Sequence, residues 1–244
     1  RDNNRVDIAK LDSNDVAGDS LTGGYIIKVD KTTGSSSTTW TSPYQSKVKF
    51  LYHDPEDIEM QPQQLNYIRT YVTNFENAVY GPNFTNLTTG FRAYTDTWSF
   101  IDFFILQELG RTVDGYRSSS FIYKDKDSKG GKLTCGPMWD FNLSYGNCDY
   151  CDAYDTTGWQ YNFGSVCPSF STEPPDWWAR LLQDTNYVHD MRCRWMQLRL
   201  TILHTDSINA WIDSVAAYLN ESQQRNFQRW PILGTYVNWN YFIG

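Results

Sequence analysis

Long apolar runs are missing from this chain. No stretch of its 244 residues approaches the roughly 20 apolar residues that a membrane-crossing helix needs, so no transmembrane segment is expected. A basic patch is missing too. The formal net charge is −7, and Lys and Arg stand singly apart from KDKDSKGGK (124–132), which mixes both signs. Nucleic acid is not an expected partner, because neutralising phosphates takes clustered cations. Histidine is scarce: His53, His189 and His204 are isolated from one another.

Cysteine is limited to five residues. Cys148 and Cys151 have the C-x2-C spacing of a zinc knuckle, but Cys167 and Cys193 do not supply a second pair, so no zinc is expected. Cys148, Cys151 and Cys167 flank a loop rich in Gly, Asp, Thr and Asn and are the disulfide candidates. A disulfide implies an oxidising compartment. Cys135 and Cys193 lie in apolar surroundings and read as buried thiols. A signal peptide is absent before Arg1, so the sequence reads as a processed product or a fragment. No repeat and no linker marks a domain boundary, which predicts one large domain.

Aromatic residues are plentiful, at 16%. They serve either a bulky core or surfaces that stack sugars or nucleotides. GGYIIKV (23–29) and SKVKFLYH (46–53) alternate and read as strands, with a polar loop over 31–43 between them. Leu65, Ile68, Val72, Phe75 and Val79 recur at helical spacing, and Gly81-Pro82 ends that helix. TDTWSFIDFFILQELG (95–110) is apolar on nearly every face and predicts a buried helix, capped by Thr95 or Asp96 and closed by Gly110. Residues 119–125 and 132–140 predict a hairpin around a charged Gly turn. The tail reads as helical. It has a Pro-initiated start at 174–184, a stripe of Val188, Met191, Trp195, Leu198 and Ile202, and another of Ile208, Trp211, Ile212, Val215 and Leu219. The fold class is therefore α+β, with few N-terminal strands, a central hairpin and a mostly helical C-terminal half.

Two acids stand at informative places. Asp114 follows the apolar helix, and Asp140 ends the second hairpin strand in GPMWDFNLSYGN (136–147). Between Trp139 and Phe141, Asp140 is either a bonder of backbone N–H groups or held for a cation, since a lone buried acid is costly. A hairpin over 119–140 sets its two open ends side by side, so the two carboxylates can converge. Converging carboxylates can hold Mg2+ or divide into a base and a metal ligand. The order helix, acid, hairpin, acid, glycine is also that of protein kinases around their catalytic and metal-binding loops.

GPMWDFNLSYGN and VDGYRSSSFIYKD resemble the CotH kinase family, named for a spore-coat protein. LTGGYIIKVDK and RNFQRW are similar to its Bacteroidetes versions. The resemblance covers most of the chain. It implies an atypical protein-kinase-like fold and, in some members, phosphorylation of proteins with ATP and a divalent metal, Mg2+ or Mn2+. It also implies an extracytoplasmic setting, secreted or on the cell surface. Carried over, Asp114 matches the catalytic-loop acid and Asp140 the metal-binding acid, with Asn142 where the family usually has a second acid. Ser119 stands where many relatives have Asn. The family's N-terminal part, with its phosphate-holding basic residues, is expected before Arg1. The chain 1–244 then reads as one N-terminally incomplete kinase-like domain, with 1–60 a remnant of the strand region and 61–244 a helical lobe.

Around that pair, Arg117 either neutralises Asp114 or touches a phosphate. Lys28 and Lys47 are candidate phosphate cations or plain solvated strand lysines. Trp139 and Phe141 either flank a base or pack. Asn83, Asn86, Asn142 and Asn220 lie in N-x-[ST] patterns. RNFQRW (225–230) offers cation–π stacking or a helix-end cluster. The expected function is phosphoryl transfer from ATP to a protein hydroxyl. The alternative is an inactive secreted surface or scaffold component of a larger assembly, and a weaker third is carbohydrate attachment through the aromatics.

Overall fold

The computed structural model describes residues 6–33 and 38–242. RDNNR (1–5) and part of the 31–43 loop lie outside the described residues. A short helix α1 (Gly18–Leu21) leads into strand β1 (Tyr25–Val29). Strand β2 (Thr39–Thr41) lies inside the segment read as loop. It forms because Trp40 packs into the core against Phe50 and Tyr52. Strand β3 (Lys49–Asp54) is followed by the long helix α2 (Pro62–Tyr80), whose start carries a capping box between Gln61 and Gln64.

Helix α3 (Thr97–Gly110) is capped by Asp96, whose carboxylate accepts from Trp98 N at 3.1 Å. Phe100, Ile101, Phe103, Phe104 and Ile105 are buried along it, yet Trp98 is exposed, so one face of this apolar helix meets solvent. The hairpin pairs β4 (Ser120–Lys124) with β5 (Leu133–Cys135). The remaining helices are α4 (Phe163–Val166), α5 (Trp177–Leu181), α6 (Thr185–Arg199) and α7 (Thr205–Arg229).

The five strands form one antiparallel sheet in the order β2-β3-β1-β4-β5. The early strands and the central hairpin therefore belong to the same sheet, joined where β1 pairs with β4. Alternation decides which side chains enter the core. Tyr25, Ile27 and Val29 pack on one face with Phe75 of α2, Phe100 of α3 and Trp177 of α5. Ile26 and Phe121 point the other way and are covered by Ile8. The protein is α+β, with a sheet and helices that match a kinase-like fold at the level of architecture.

Three further sequence expectations change. Asp140 does not end a strand, because β5 stops at Cys135 and leaves Asp140 in a loop. Cys193 is exposed and Cys135 only half-buried. The stripe on α7 faces no core: none of its residues is buried, and Trp211 is 69% exposed.

Candidate functional site

The site starts where α3 stops. Arg111 takes a left-handed conformation (φ 43°) and turns the chain, donating its N–H to Gln107 O and Glu108 O. The loop that follows is anchored by Tyr116, which is fully buried at φ 66°. Its hydroxyl donates to Glu108 Oε1 at 2.8 Å. Glu108 also accepts from Gln160 N and Tyr161 N, at 2.7 and 2.8 Å. Burial pushes the Glu108 carboxyl up, and these hydrogen bonds oppose the rise. Gly115 fits against Gln107 because it lacks a Cβ, which would stand 2.5 Å from Gln107 Oε1.

That anchoring places Asp114. Its Oδ1 accepts from Arg117 Nη2 at 2.5 Å and from Tyr150 OH at 3.3 Å. Its Oδ2 has no protein partner among the described residues. Arg117 is buried, and its Nε and Nη1 donate to Val113 O and Thr172 Oγ1. Its guanidinium lies over Phe163 and Phe170, 4.2 and 4.6 Å from the ring centroids. Arg117 is thus engaged with Asp114, with its own loop and with the Phe163–Thr172 segment.

Asp140 sits five residues beyond β5 at φ 69°, a left-handed conformation that Asp tolerates better than most side chains. It is exposed, so the sequence expectation of a costly buried acid does not apply. Its Oδ2 accepts from Ser119 Oγ at 3.2 Å. Ser119 is itself left-handed (φ 49°) and donates its N–H to Asp30 Oδ1. Ser119 therefore positions Asp140 and does not line the cavity. The loop past Asp140 returns to α3: Tyr145 N donates to Gly110 O at 2.7 Å, and Thr112 and Ser144 hydroxyls meet at 2.9 Å. Phe141 packs against Gly110. Neither Phe141 nor Trp139 lines the cavity.

Asp114, Arg117, Asp140 and Asn142 line one cavity of about 550 Å³. Leu143, Tyr150 and Phe170 form its apolar wall, and Thr172, Lys31 and Trp239 are also among its lining residues. The two lysines weighed from the sequence do not line it. Lys28 pairs with Asp30 at 3.1 Å, and Lys47 pairs with Glu173 at 2.5 Å. Lys31, from a stretch read only as loop, is the lysine that does. Asp30 also escaped the sequence reading. At the end of β1 it ties Lys28, Ser118 and Ser119 together, and only strand pairing reveals that.

The disulfide beneath this wall joins Cys151 to Cys167, with Cα atoms 5.6 Å apart. Cys148, the third candidate, is a buried thiol, and burial pushes its pKa up. Among the described residues no cluster of three or more His, Cys, Asp or Glu side chains is placed to share a metal. A cation here would draw on Asp140, Asn142, water and substrate oxygens, the mixed shell that Mg2+ prefers. No Lys, Arg or His pairs with Asp140 among the described residues, so its charge is available.

The α+β body fits a kinase-like class at the level of architecture, and its two acid-bearing loops meet at one cavity. The family model described as CotH kinase protein matches residues 3–242, and the chain belongs to that family. No curated protein and no solved structure matches it. Among the described residues no helix is long and apolar enough to cross a membrane.

Proposed function

We propose that this protein transfers the γ-phosphoryl group of ATP to a protein hydroxyl. The observation that carries the reading is that Asp114, Asp140, Asn142 and Lys31 line one cavity. Asp114 accepts the proton of the acceptor hydroxyl while that oxygen bonds to the γ-phosphorus. The bond from phosphorus to the β,γ-bridging oxygen breaks, and ADP leaves. Asp140 and Asn142 offer the hard oxygen donors that Mg2+ or Mn2+ takes. A bound divalent ion would neutralise charge on the phosphates. Lys31 adds a cation at the same cavity. Arg117 and Tyr150 hold the Asp114 carboxylate in place, which supports catalysis by positioning. The disulfide supports an extracytoplasmic location, secreted or at the cell surface.

A second reading, an inactive surface or scaffold component, draws on Asn142 in place of an acid and on the exposed apolar surface of α7. One experiment separates the two: incubation with labelled ATP and Mn2+ or Mg2+. Label should enter the wild type or an added protein acceptor, and Asp114→Asn and Asp140→Ala should each lose at least about 100-fold. Equal labelling by Asp140→Ala, or none by the wild type, would overturn the kinase reading.

A further inference from the structure

Three aromatic side chains help to line the cavity, and they differ in what their faces already touch. Tyr150 and Phe170 stack on each other with centroids 5.7 Å apart. Phe170 also meets Phe163 edge-on and lies under the Arg117 guanidinium. Trp239 is unlike them. Among the described residues its indole makes no ring stack, no cation contact and no side-chain hydrogen bond, and it is 58% exposed.

The backbone carrying Trp239 is nevertheless fixed. Residues 236–242 run as a strap across the loop at 147–154. Tyr236 OH donates to Asp149 Oδ2 at 2.5 Å, and Asp149 N donates to Trp239 O at 3.2 Å. Trp239 N donates to Tyr236 OH at 3.1 Å. Asn147 binds the strap twice, through Nδ2 to Asn240 Oδ1 and by accepting from Phe242 N. Tyr241 stacks on Tyr154 at 4.8 Å. Trp239 itself is left-handed (φ 70°), a conformation kept where surrounding contacts impose it. A tryptophan held by its backbone, with an open face beside a cavity that also carries charged and polar groups, is a platform for a planar ring.

We infer that Trp239 stacks on the nucleobase of the bound nucleotide and thereby distinguishes a nucleotide from bare polyphosphate. The inference rests on the kinase reading above, which directs the phosphates to Asp140, Asn142 and Lys31. The base is then the planar part left to be held. A cavity of about 550 Å³ lies within the roughly 300–1,000 Å³ typical of small-molecule sites.

The test compares MnATP with manganese tripolyphosphate, by calorimetry on the full chain. Trp239→Ala should weaken MnATP about tenfold, within the range stacking supplies per base, and leave tripolyphosphate unchanged. Trp239→Phe should recover most of the loss. Unchanged MnATP affinity in Trp239→Ala overturns the inference and leaves the kinase reading standing. Equal weakening of both ligands also overturns it, because Trp239 then only shapes the cavity. If the wild type binds neither ligand, the kinase reading fails and takes this inference with it. An unaltered melting temperature in Trp239→Ala shows that the body is intact.

Discussion

Glu76 on α2 is a carboxyl placed in the core. It is 1% exposed, with Ser42 Oγ donating to its Oε1 at 2.6 Å and no hydrogen-bond partner for Oε2 among the described residues. Burial raises its pKa from 4.5 to about 7, against the lowering effect of the Ser42 hydrogen bond. The folded state thus keeps a proton that the unfolded chain gives up above its ordinary pKa. The stability this contributes is complete below about pH 4.5 and is lost as pH rises towards about 7. The span corresponds to about 3 kcal/mol. Glu76→Gln should flatten that decline and melt higher than wild type at pH 8. Thermal melts at half-unit steps from pH 4.5 to 8 read it directly. Parallel curves for the two proteins would show that Glu76 is ionised in the fold. Sequence reading placed this residue on a helix beside an apolar stripe and gave no hint of its burial, because the covering Ser42 comes from a distant turn.

Helices α2 and α7 carry stripes of the same period with opposite fates. Phe75 in the first is fully buried among Phe100 and Trp177, while Trp211 in the second meets solvent. Periodicity reports an amphipathic face and says nothing of what covers it. Phe75→Ala should therefore cost about 3–5 kcal/mol, whereas Trp211→Ala should stay within about 0.5 kcal/mol. Urea unfolding of the two variants beside wild type measures both. Strands β1 and β3, the hairpin, the longer helices and the order of the two acids were legible because they depend on local pattern, whereas β2 was read as loop. Asp114 and Asp140 were found that way. The register that brings Asp30 to Ser119 was not, since it arises from pairing between β1 and β4. Lys31 and Trp239 escaped for a similar reason: nothing near either residue in sequence points to a cavity lined by segments more than a hundred residues apart.

At the scale of the whole molecule, the cavity wall is held by a covalent tie and by a distant segment. The disulfide spans a sequence separation of 16 residues and secures the stretch carrying Tyr150 and Phe163. Closing a loop of that size is worth about 3 kcal/mol. Reduction should lower Tm by roughly 6–12 °C for a chain of this length. Scanning calorimetry with and without dithiothreitol tests this, and Cys151→Ser should melt low and ignore the reductant.

The strap has a different tie. It reaches the site only through α7, 25 residues of helix with no buried side chain. Its hold on the 147–154 loop is an intramolecular association, helped by an effective concentration on the order of millimolar. A single proteolytic cut in α7 would leave that strap held to the body only by its contacts with the 147–154 loop. The body's core would be untouched, since among the described residues no side chain beyond Leu198 is buried in it. On the strap's release the cavity would keep Asp114 and Asp140 and lose Trp239, so its lining would come apart at one peptide bond.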